Sequence, residues 1–384
     1  MGFLIIMKIL ITTCGVGIGH ASRELTLALY LEKKGHSVEF ASYGAGLHFL
    51  RKNHKTVHPL PNMNFEGNNG SVDIEKSVKN SKDIPYTFIK TMYKEARIIK
   101  RIKPDIIISD SDYSTPYTAK LLKIPCYIIT NDLTFGFSDS TDIQFIKYFE
   151  KSIEKLIHQI SKNATKILIP DIPGTITIPD KLKSKTEFIG PLIKAPVDLT
   201  KDELRRKHNI NVDSKVIVVT VGGSEFGKLL IENICDISLE LNVDTIIIFT
   251  GLELDPSQFK IPKTNKTIII KQFSYNLVEW MQLSDLTIAL AGHTTTMELI
   301  SIKKPNILIP IKNHKEQQKN IQRIKPYKIS QTTMIDDKEK LKNMINTTIN
   351  KTDTIKINSD EYNKFIKYNG CKKAFEIIEK KNEI

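Results

Sequence analysis

The segment from Leu286 to Asn320 constrains the fold of this chain more than any other. Leu286 to Leu290 has the pattern of a buried strand, and a Gly turn and a helical pattern to about Ile302 follow it. A second strand and a second helix start come next, between Asn306 and Asn320. Strands alternating with helices of this length indicate a parallel β-sheet covered by helices. Both loops then open at the carboxyl edge of the sheet, where open α/β folds bind ligands.

The same two loops carry polar residues that suit a nucleotide sugar. The first loop ends in a hydroxyl-rich helix start, where backbone N–H groups and the helix dipole favour a phosphate. A Glu one turn later could accept both ribose hydroxyls, or could simply stabilise the helix dipole. The next loop offers a carboxylate and carboxamides for a sugar. The candidate residues are Gly292, His293, Thr294, Thr295, Glu298, Glu316, Gln317 and Asn320.

The composition is that of an ordinary globular protein with excess positive charge. A length of 384 residues is long for one core and favours two domains. The net charge of +13 favours an anionic partner, such as a nucleotide or an acidic membrane surface, although Lys-rich solvated faces explain it equally well. Because no nucleic-acid-binding motif or aromatic-basic repeat is present, we expect no nucleic-acid partner.

Cysteine spacing and apolar runs predict a cytoplasmic protein without a membrane span. The apolar run from Phe3 to Ile11 is interrupted by Lys8, so it reads as a buried first strand and not as a signal sequence. No run reaches the roughly 20 apolar residues that a bilayer span needs. Widely separated cysteines without a C-x-x-C pair argue against a disulfide framework or a zinc site. They are Cys14, Cys126, Cys235 and Cys371.

Strands and helices alternate along both halves of the chain. In the first half, Lys8 to Thr13, Asp105 to Ser109 and Cys126 to Thr130 have the pattern of strands. In the second half, Val216 to Val221 starts a new unit of the same kind, and Glu361 to Lys381 is predicted to end the chain as one helix. We therefore predict an α/β protein with two Rossmann-like domains facing across a cleft. The expected domains are residues 1–190, residues 191–358, and a C-terminal helix at 359–384 that packs back on the first domain.

A glycine-rich loop joins the first strand to the first helix. It runs Gly-Val-Gly-Ile-Gly-His-Ala-Ser-Arg and contains Gly17, Gly19 and Arg23. Its G-x-G-x-G spacing is not the dinucleotide fingerprint, which is G-x-G-x-x-G. His20 is a candidate general base because imidazole titrates near neutral pH, although it could also be a helix cap.

Asp110-Ser111-Asp112 follows a predicted strand and allows three interpretations. The two carboxylates could clamp a divalent metal ion on a diphosphate. Alternatively, Asp110 could orient His20, as a carboxylate does in a catalytic triad. Both aspartates could also merely cap the next turn, and spacing alone does not decide.

A second glycine turn begins the second half of the chain. Gly222, Gly223 and Ser224 follow its first strand, and their N–H and hydroxyl groups could contact a pyrophosphate. A plain turn between strand and helix is the alternative.

These motifs, in this order, resemble those of GT-B glycosyltransferases, namely family 28 and its UDP-glucuronosyltransferase relatives. The resembling segments are the glycine loop ending in Gly19-His20, the Gly-Gly-Ser turn at 222–224, Gly292-x-x-Thr295-x-x-Glu298, and Gln317-x-x-Asn320. An extended form of the first motif, Gly-x-Gly-x-Gly-His-x-x-Arg, is similar to Gly15 to Arg23. Two positions depart from the family pattern: Leu290 replaces a His of the glucuronosyltransferase motif, and His293 replaces a small residue of the peptidoglycan branch.

The resemblance implies an inverting transfer from a nucleotide diphosphate sugar, expected to be UDP-linked. It implies that His20 deprotonates the acceptor hydroxyl with Asp110 as its partner, and that Gly17, Gly19 and Arg23 lie on the acceptor side. It also implies neutralisation of the leaving group by helix N-termini, without a metal ion or cofactor. The implied donor contacts are Gln272 and Phe273 for the base, Glu298 for the ribose, Ser224, Gly292, Thr294 and Thr295 for the phosphates, and Glu316, Gln317 and Asn320 for the sugar.

The sequence does not identify the acceptor, and it leaves two alternative functions. The helix predicted from Tyr86 to Arg101 is basic and aromatic, so it could dock on an anionic membrane that carries a lipid-linked acceptor, or merely present a solvated face. An epimerase acting on UDP-N-acetylglucosamine and a non-catalytic nucleotide-sugar sensor are the alternatives to a transferase.

Overall fold

The computed structural model describes residues 6–62, 67–68, 71–72, 84–134, 144–223 and 225–380. The chain forms two compact units. The first comprises residues 1–65, 74–193 and 367–384, and the second comprises residues 66–73 and 194–366. Among the helices within the described ranges, none is long and apolar enough to span a bilayer.

The strands share a parallel arrangement apart from one short hairpin. In the first half of the chain they are β1 (Lys8–Thr13), β2 (Ser37–Ser42), β3 (Val57–Pro59), the hairpin strands β4 (Gly67–Asn68) and β5 (Ser71–Val72), β6 (Ile106–Asp110), β7 (Cys126–Ile129), β8 (Lys166–Ile169) and β9 (Thr186–Phe188). In the second half they are β10 (Val216–Thr220), β11 (Thr245–Phe249), β12 (Thr267–Lys271), β13 (Leu286–Leu290), β14 (Asn306–Ile309) and β15 (Ser330–Thr332).

The helices follow the strands along the chain. They are α1 (Gly19–Lys33), α2 (Gly44–Lys52), α3 (Ile84–Ile102), α4 (Thr115–Leu121), α5 (Gln144–Ser161), α6 (Lys201–Lys207), α7 (Lys228–Ile237), α8 (Leu277–Leu283), α9 (His293–Ser301), α10 (Lys315–Ile324), α11 (Lys338–Ile349), α12 (Ser359–Phe365) and α13 (Gly370–Glu379).

The sheet of the first unit has the strand order β3-β2-β1-β6-β7-β8-β9. The register pairs Thr13 with Asp110, and Asp110 with Ile129, so three strands end side by side. The glycine loop therefore begins beside Asp110, where the Cys14 N–H donates to the Asp110 carbonyl at 3.0 Å. Asp110 belongs to β6 itself, one residue later than the predicted end of that strand, because it continues the ladder to both neighbours.

The sheet of the second unit has the order β12-β11-β10-β13-β14-β15. Its central strands are buried along their whole length, as expected of a parallel sheet covered on both faces. Its core joins Ile217, Ile246 and Ile288 of the strands to Ile234 of α7 and Leu341 of α11. The loops after β10, β13 and β14 consequently open at one edge of this sheet.

The C-terminal segment differs from the single helix predicted over Glu361 to Lys381. It forms two helices, because the Asn369 side chain accepts the Lys372 N–H at 3.0 Å and starts α13 as a new helix. The Phe375 ring of α13 contacts Tyr30 of α1, with ring centroids 6.0 Å apart. Residues 367–384 thereby group with the first unit while α12 groups with the second, a division that differs from the predicted boundary at 358.

The Gly190 turn offers a test of how tightly the returning segment packs. Gly190 has a φ of 89°, and a Cβ there would lie 2.4 Å from the Tyr368 Cβ. Gly174 has a φ of 92° but open space around it. We expect Gly190→Ala to lower the unfolding free energy by about 1–3 kcal/mol more than Gly174→Ala, since only the first adds a clash to the backbone strain. Urea denaturation measures both, and equal losses would contradict the packing of Tyr368 on Gly190.

Candidate active site

A buried ion-paired cluster forms where β1 and β6 end in the first unit. His20 lies in the first turn of α1, and its Nδ1 is 3.0 Å from Asp110 Oδ1. Arg23 lies one turn further along α1 and contacts both oxygens of Asp110, with a distance of 2.5 Å from Nε to Oδ2. The third guanidinium nitrogen, Nη1, donates to the Asn131 side chain. Arg23 therefore links α1 both to the end of β6 and to the segment after β7.

The electrostatics of the cluster favour an ionised Asp110. Burial by itself raises the pKa of this fully buried carboxyl, but the Arg23 guanidinium and the His20 imidazole outweigh it and hold the pKa well below its ordinary value. The His20 side chain is 22% exposed, whereas Asp110 is inaccessible to solvent. An imidazole held by a buried carboxylate at one nitrogen and open to solvent is the arrangement of a general base.

Asp112 engages different partners from Asp110, which does not suit a metal clamp built on both. Ser111 between them has a φ of 52°, so the chain turns sharply at that point. Asp112 Oδ1 accepts from the Ser114 N–H at 3.2 Å and lies 2.8 Å from the Ser114 hydroxyl. Over the described part of the chain, no three His, Cys, Asp or Glu side chains group as a metal site would require. The structure thus brings Asp110, and not Asp112, to His20.

A second buried carboxyl, Glu95 of α3, lies next to Asp112. The Ser114 hydroxyl is 2.8 Å from a carboxylate oxygen of each residue, and the Thr115 and Thr118 hydroxyls also donate to Glu95, at 2.6 and 2.7 Å. One hydroxyl has one proton to donate, so a proton on Glu95 or Asp112 completes the network. Burial, and then the charge of Asp112, raise the pKa of Glu95 to about 8. No local motif marks this pair in the sequence.

In the second unit, α9 begins at the edge predicted to bind phosphate. Gly292 caps the helix with an ordinary φ of −68°, and a Cβ there would meet nothing within 4 Å. The fold of the described chain therefore does not itself require glycine at 292, and the space in front of the helix N-terminus is open. Thr294 and Thr295 are partly exposed in the first turn. The Gly turn after β10 lies near this edge, where Gly222 has a φ of 72° and Gly223 is buried. Ser224 lies outside the described residues.

Glu298 is buried beside this helix start, and the charge of the half-buried Lys194 acts on it. Burial raises the pKa of Glu298 to about 7, and Lys194 opposes that rise. The Lys194 ammonium also donates to the Tyr275 carbonyl, which joins the chain after the first unit to the segment after β12. Sequence reasoning missed Lys194; its one signal is its position four residues after Gly190, at the predicted linker.

The remaining predicted donor residues fall into two groups. Gln317 and Asn320 are buried and serve the loops: Gln317 Oε1 accepts the Ile311 N–H at 2.9 Å, and Asn320 Nδ2 donates to the Ala291 carbonyl at 2.8 Å. The Asn320 oxygen also accepts from Arg323 at 2.5 Å, so Asn320 braces the Gly292 loop, and its contact with a sugar stays a prediction. In the second group, Gln272 is exposed, and Phe273 and Glu316 are half-buried. His293 is buried at the start of α9.

Of the residues predicted to lie on the acceptor side, Gly17 lies in the loop and Gly19 is the first residue of α1. Gly17 has a φ of 66°, a conformation that favours glycine. Arg23, predicted on the same side, is 2% exposed in α1 with its guanidinium on Asp110. Its contact with the acceptor stays a prediction, whereas its contact with Asp110 is part of the fold.

Two protein-family models match the chain, one over each half. "Glycosyl transferase family 1" matches residues 7–217, more than half of the chain, and "Glycosyltransferase family 28 C-terminal domain" matches residues 216–373. This chain belongs to the GT-B glycosyltransferases. The resemblance predicted from four short motifs and the predicted fold class are thereby confirmed.

Individual relatives agree with this family. An uncharacterised glycosyltransferase of Methanosarcina mazei is 31% identical over 329 residues, which cover 82% of each chain. A Clostridium botulinum protein named UDP-N-acetylglucosamine–N-acetylmuramyl-(pentapeptide) pyrophosphoryl-undecaprenol N-acetylglucosamine transferase is 25% identical and covers 97% of this chain and 99% of its own. Among solved structures, Acinetobacter baumannii MurG has a TM-score of 0.60 at 17% identity, with 97% and 99% of the two chains covered. A Streptomyces glycosyltransferase, SsfS6, solved with thymidine diphosphate, has a TM-score of 0.64 at 13% identity, with 97% and 99% covered.

The Glu95 network predicts a pH dependence of stability. Folding raises the pKa of Glu95, so binding its proton stabilises the folded state. This contribution to the unfolding free energy is complete below the ordinary pKa of a Glu and is lost as the pH rises through about 8. We expect the unfolding free energy of the wild type to fall between pH 6 and pH 9, and Glu95→Gln to reduce that fall. Urea denaturation at the two pH values measures it, with Glu376→Gln on the exposed face of α13 as control. A fall of the same size in Glu95→Gln would contradict the protonated network.

Proposed function

We propose that this glycosyltransferase moves a hexose or N-acetylhexosamine from a UDP-linked sugar to an acceptor hydroxyl, with inversion at the anomeric carbon. The observation that carries the proposal is the His20–Asp110 pair, with 3.0 Å between Nδ1 and Oδ1 and a partly exposed imidazole. A proton on Nδ1 directs the other ring nitrogen to accept a proton. His20 takes the acceptor's hydroxyl proton as the oxygen attacks the anomeric carbon, and the bond to the nucleotide diphosphate breaks on the opposite face.

The donor half of the proposal rests on the second unit. The N-terminus of α9 would direct its helix dipole at a diphosphate, and Lys194 would supply a cation near the same helix. Glu298, one turn into α9, would accept ribose hydroxyls once it is ionised. The name of the Clostridium botulinum relative supports a UDP-linked donor, and the thymidine diphosphate bound to SsfS6 is the reason to test other nucleotides as well.

The two roles predict separable defects. His20→Ala should lower kcat by roughly 10²-fold or more while the donor's Kd changes little, because only the base is removed. Gly292→Ala should keep the fold, since its Cβ meets open space, but weaken donor binding by tenfold or more through close contact with the phosphates. A thermal-shift screen with UDP, TDP and GDP sugars identifies the donor, and calorimetry and turnover then compare the variants.

Particular outcomes of those assays would overturn the proposal. Full turnover by His20→Ala would mean that another group is the base. Binding of a nucleotide sugar by the wild type without any turnover would indicate a non-catalytic sensor. Release of epimerised free sugar from the donor alone, without any acceptor, would indicate an isomerase instead of a transferase. Failure of every nucleotide sugar to stabilise the wild type would remove the donor assignment.

We also propose that the start of α3 places the enzyme on an anionic membrane surface at the cytoplasmic face, where a lipid-linked acceptor would lie. Tyr86, Ile89 and Tyr93 are spaced three and four residues apart, hence on one face of the helix, and each is at least 67% exposed. The end of the same helix buries Ile98 and Ile99 in the core, so the exposed apolar face is confined to its start. Basic residues surround that face and suit anionic headgroups: Lys90, Lys94, Arg97, Lys100 and Arg101.

Vesicle binding tests this surface. Replacing Tyr86, Ile89 and Tyr93 together by Ser should abolish co-sedimentation with phosphatidylglycerol vesicles, because the apolar contact is lost. The wild type should bind these vesicles, dissociate from them at high salt and not bind phosphatidylcholine vesicles. Leu239→Ser, which changes an apolar residue of the second unit that is 53% exposed, is the matched control. Equal binding of the triple variant and the control would place membrane contact elsewhere or nowhere.

A further inference from the structure

We propose that Arg23 is the positioning residue for His20: it keeps Asp110 deprotonated and oriented, so that the His20 proton stays on Nδ1 and Nε2 can take the acceptor's proton. The proposal rests on the proposed function of His20 as the base. It adds a role for Arg23, which the transfer reaction does not require to take part in any chemical step. It concerns a side chain that does not touch the reacting atoms.

The geometry of the clamp is two-sided. Arg23 Nε donates to Asp110 Oδ2 at 2.5 Å, and a terminal nitrogen donates to Asp110 Oδ1. Such fork-like pairs are stronger and more directional than a single contact with Lys. Arg23 is held in turn by the Asn131 oxygen, two residues beyond the end of β7. The carboxylate plane is therefore determined by α1, β6 and the segment after β7 together.

The contacts at His20 Nδ1 show why the charge of Asp110 matters. Nδ1 lies 3.0 Å from Asp110 Oδ1 and also 3.0 Å from a terminal nitrogen of Arg23. The guanidinium can only donate, and an ionised carboxylate can only accept. A proton on Nδ1 satisfies the carboxylate, which is the stronger partner, and leaves a lone pair on Nε2. A protonated Asp110 would instead donate to Nδ1 and move the imidazole proton to Nε2, where it blocks base catalysis.

Burial makes that protonation the expected result of losing Arg23. Asp110 has no solvent exposure, and an isolated buried carboxylate is neutralised by proton uptake. Other titratable groups near the pair do not replace the guanidinium: Glu24 on α1 and Cys14 after β1 carry no positive charge, and burial raises the pKa of each. Cys371 of α13 and Asp112 lie nearby and are also acids. Among these described groups, Arg23 is the permanent cation.

Arg205 provides a matched control. It is also 2% exposed and lies in a short helix, and its terminal nitrogen donates to Asp285 at 2.8 Å. It belongs to the second unit, whereas His20 belongs to the first. A loss of general stability from disturbing a buried Arg–Asp pair should be common to both sites, whereas a change at His20 should be specific to Arg23.

The test uses the full chain with 15N-labelled histidine, and His20→Asn identifies the His20 ring signals. In the wild type we expect the tautomer with the proton on Nδ1. In Arg23→Met we expect the Nε2-protonated tautomer, a loss of kcat of roughly 10²-fold with donor KM within twofold, and recovery as the pH rises and Asp110 ionises. Arg23→Lys keeps the cation and should retain the wild-type tautomer and pH profile with a smaller loss of kcat. Arg205→Met and Arg205→Lys should leave the His20 signals unchanged.

Two results would overturn the proposal. One is a wild-type tautomer and pH profile in Arg23→Met, even if its stability falls as much as that of Arg205→Met. The other, should Arg23→Met not fold, is a switched tautomer in Arg23→Lys, which would show that charge does not hold Asp110. Because the tautomer is read without turnover, it separates this proposal from the proposed function: a correct tautomer switch in an enzyme that transfers no sugar would refute only the latter.

Discussion

The buried charge of Asp110 is the constraint around which the first unit is organised. A carboxylate without solvent exposure needs compensation, and it obtains this from Arg23 and His20, both on the first turns of α1. That requirement sets the rotation of α1, the course of the glycine loop and the position of Asn131 after β7. The residues that would perform the chemistry are therefore also the residues that join three segments of the sheet edge. Removing one of them disturbs fold and reaction together, which is why matched control variants are needed to separate the two effects.

At the carboxyl edge of its sheet, the second unit does not have a buried ion pair like that of Asp110 and Arg23 among the described residues discussed above. Its polar side chains there mostly serve the loops, as Asn320 and Gln317 do when they hold backbone groups near Gly292 and Ile311. At the N-terminus of α9, Gly292, Thr294 and Thr295 are partly exposed. Glu298 lies under it, with Lys194 opposing the rise in its pKa that burial causes. Under the proposed function, helix dipoles and one cation would bind a dianionic diphosphate with little rearrangement, because both are already part of the fold.

Strand-helix alternation and turn chemistry were enough to predict the parallel sheets, the glycine loop before α1 and the helix start at Gly292. They failed at the C-terminus, where the single helix predicted over residues 361–381 is broken at the Asn369 cap. They also failed for Glu95 and Lys194, because each lies in an unremarkable local pattern and acquires its partners from distant segments. In the sequence, Arg23 stands out only as part of a motif. Its ion pair with Asp110 spans 87 residues and has no local sequence signature.

The sequence alone determined the class of fold and the residue types at the sheet edges, since these depend on short-range periodicity and on the few residues that turns and helix starts accept. Tertiary structure decided which of Asp110 and Asp112 meets His20, because a φ of 52° at Ser111 and the register of β6 between β1 and β7 set their positions. It likewise decided that Asn320 faces inward and that Gly292 faces open space. Such assignments depend on pairing between segments far apart in the chain, and no local pattern records that pairing.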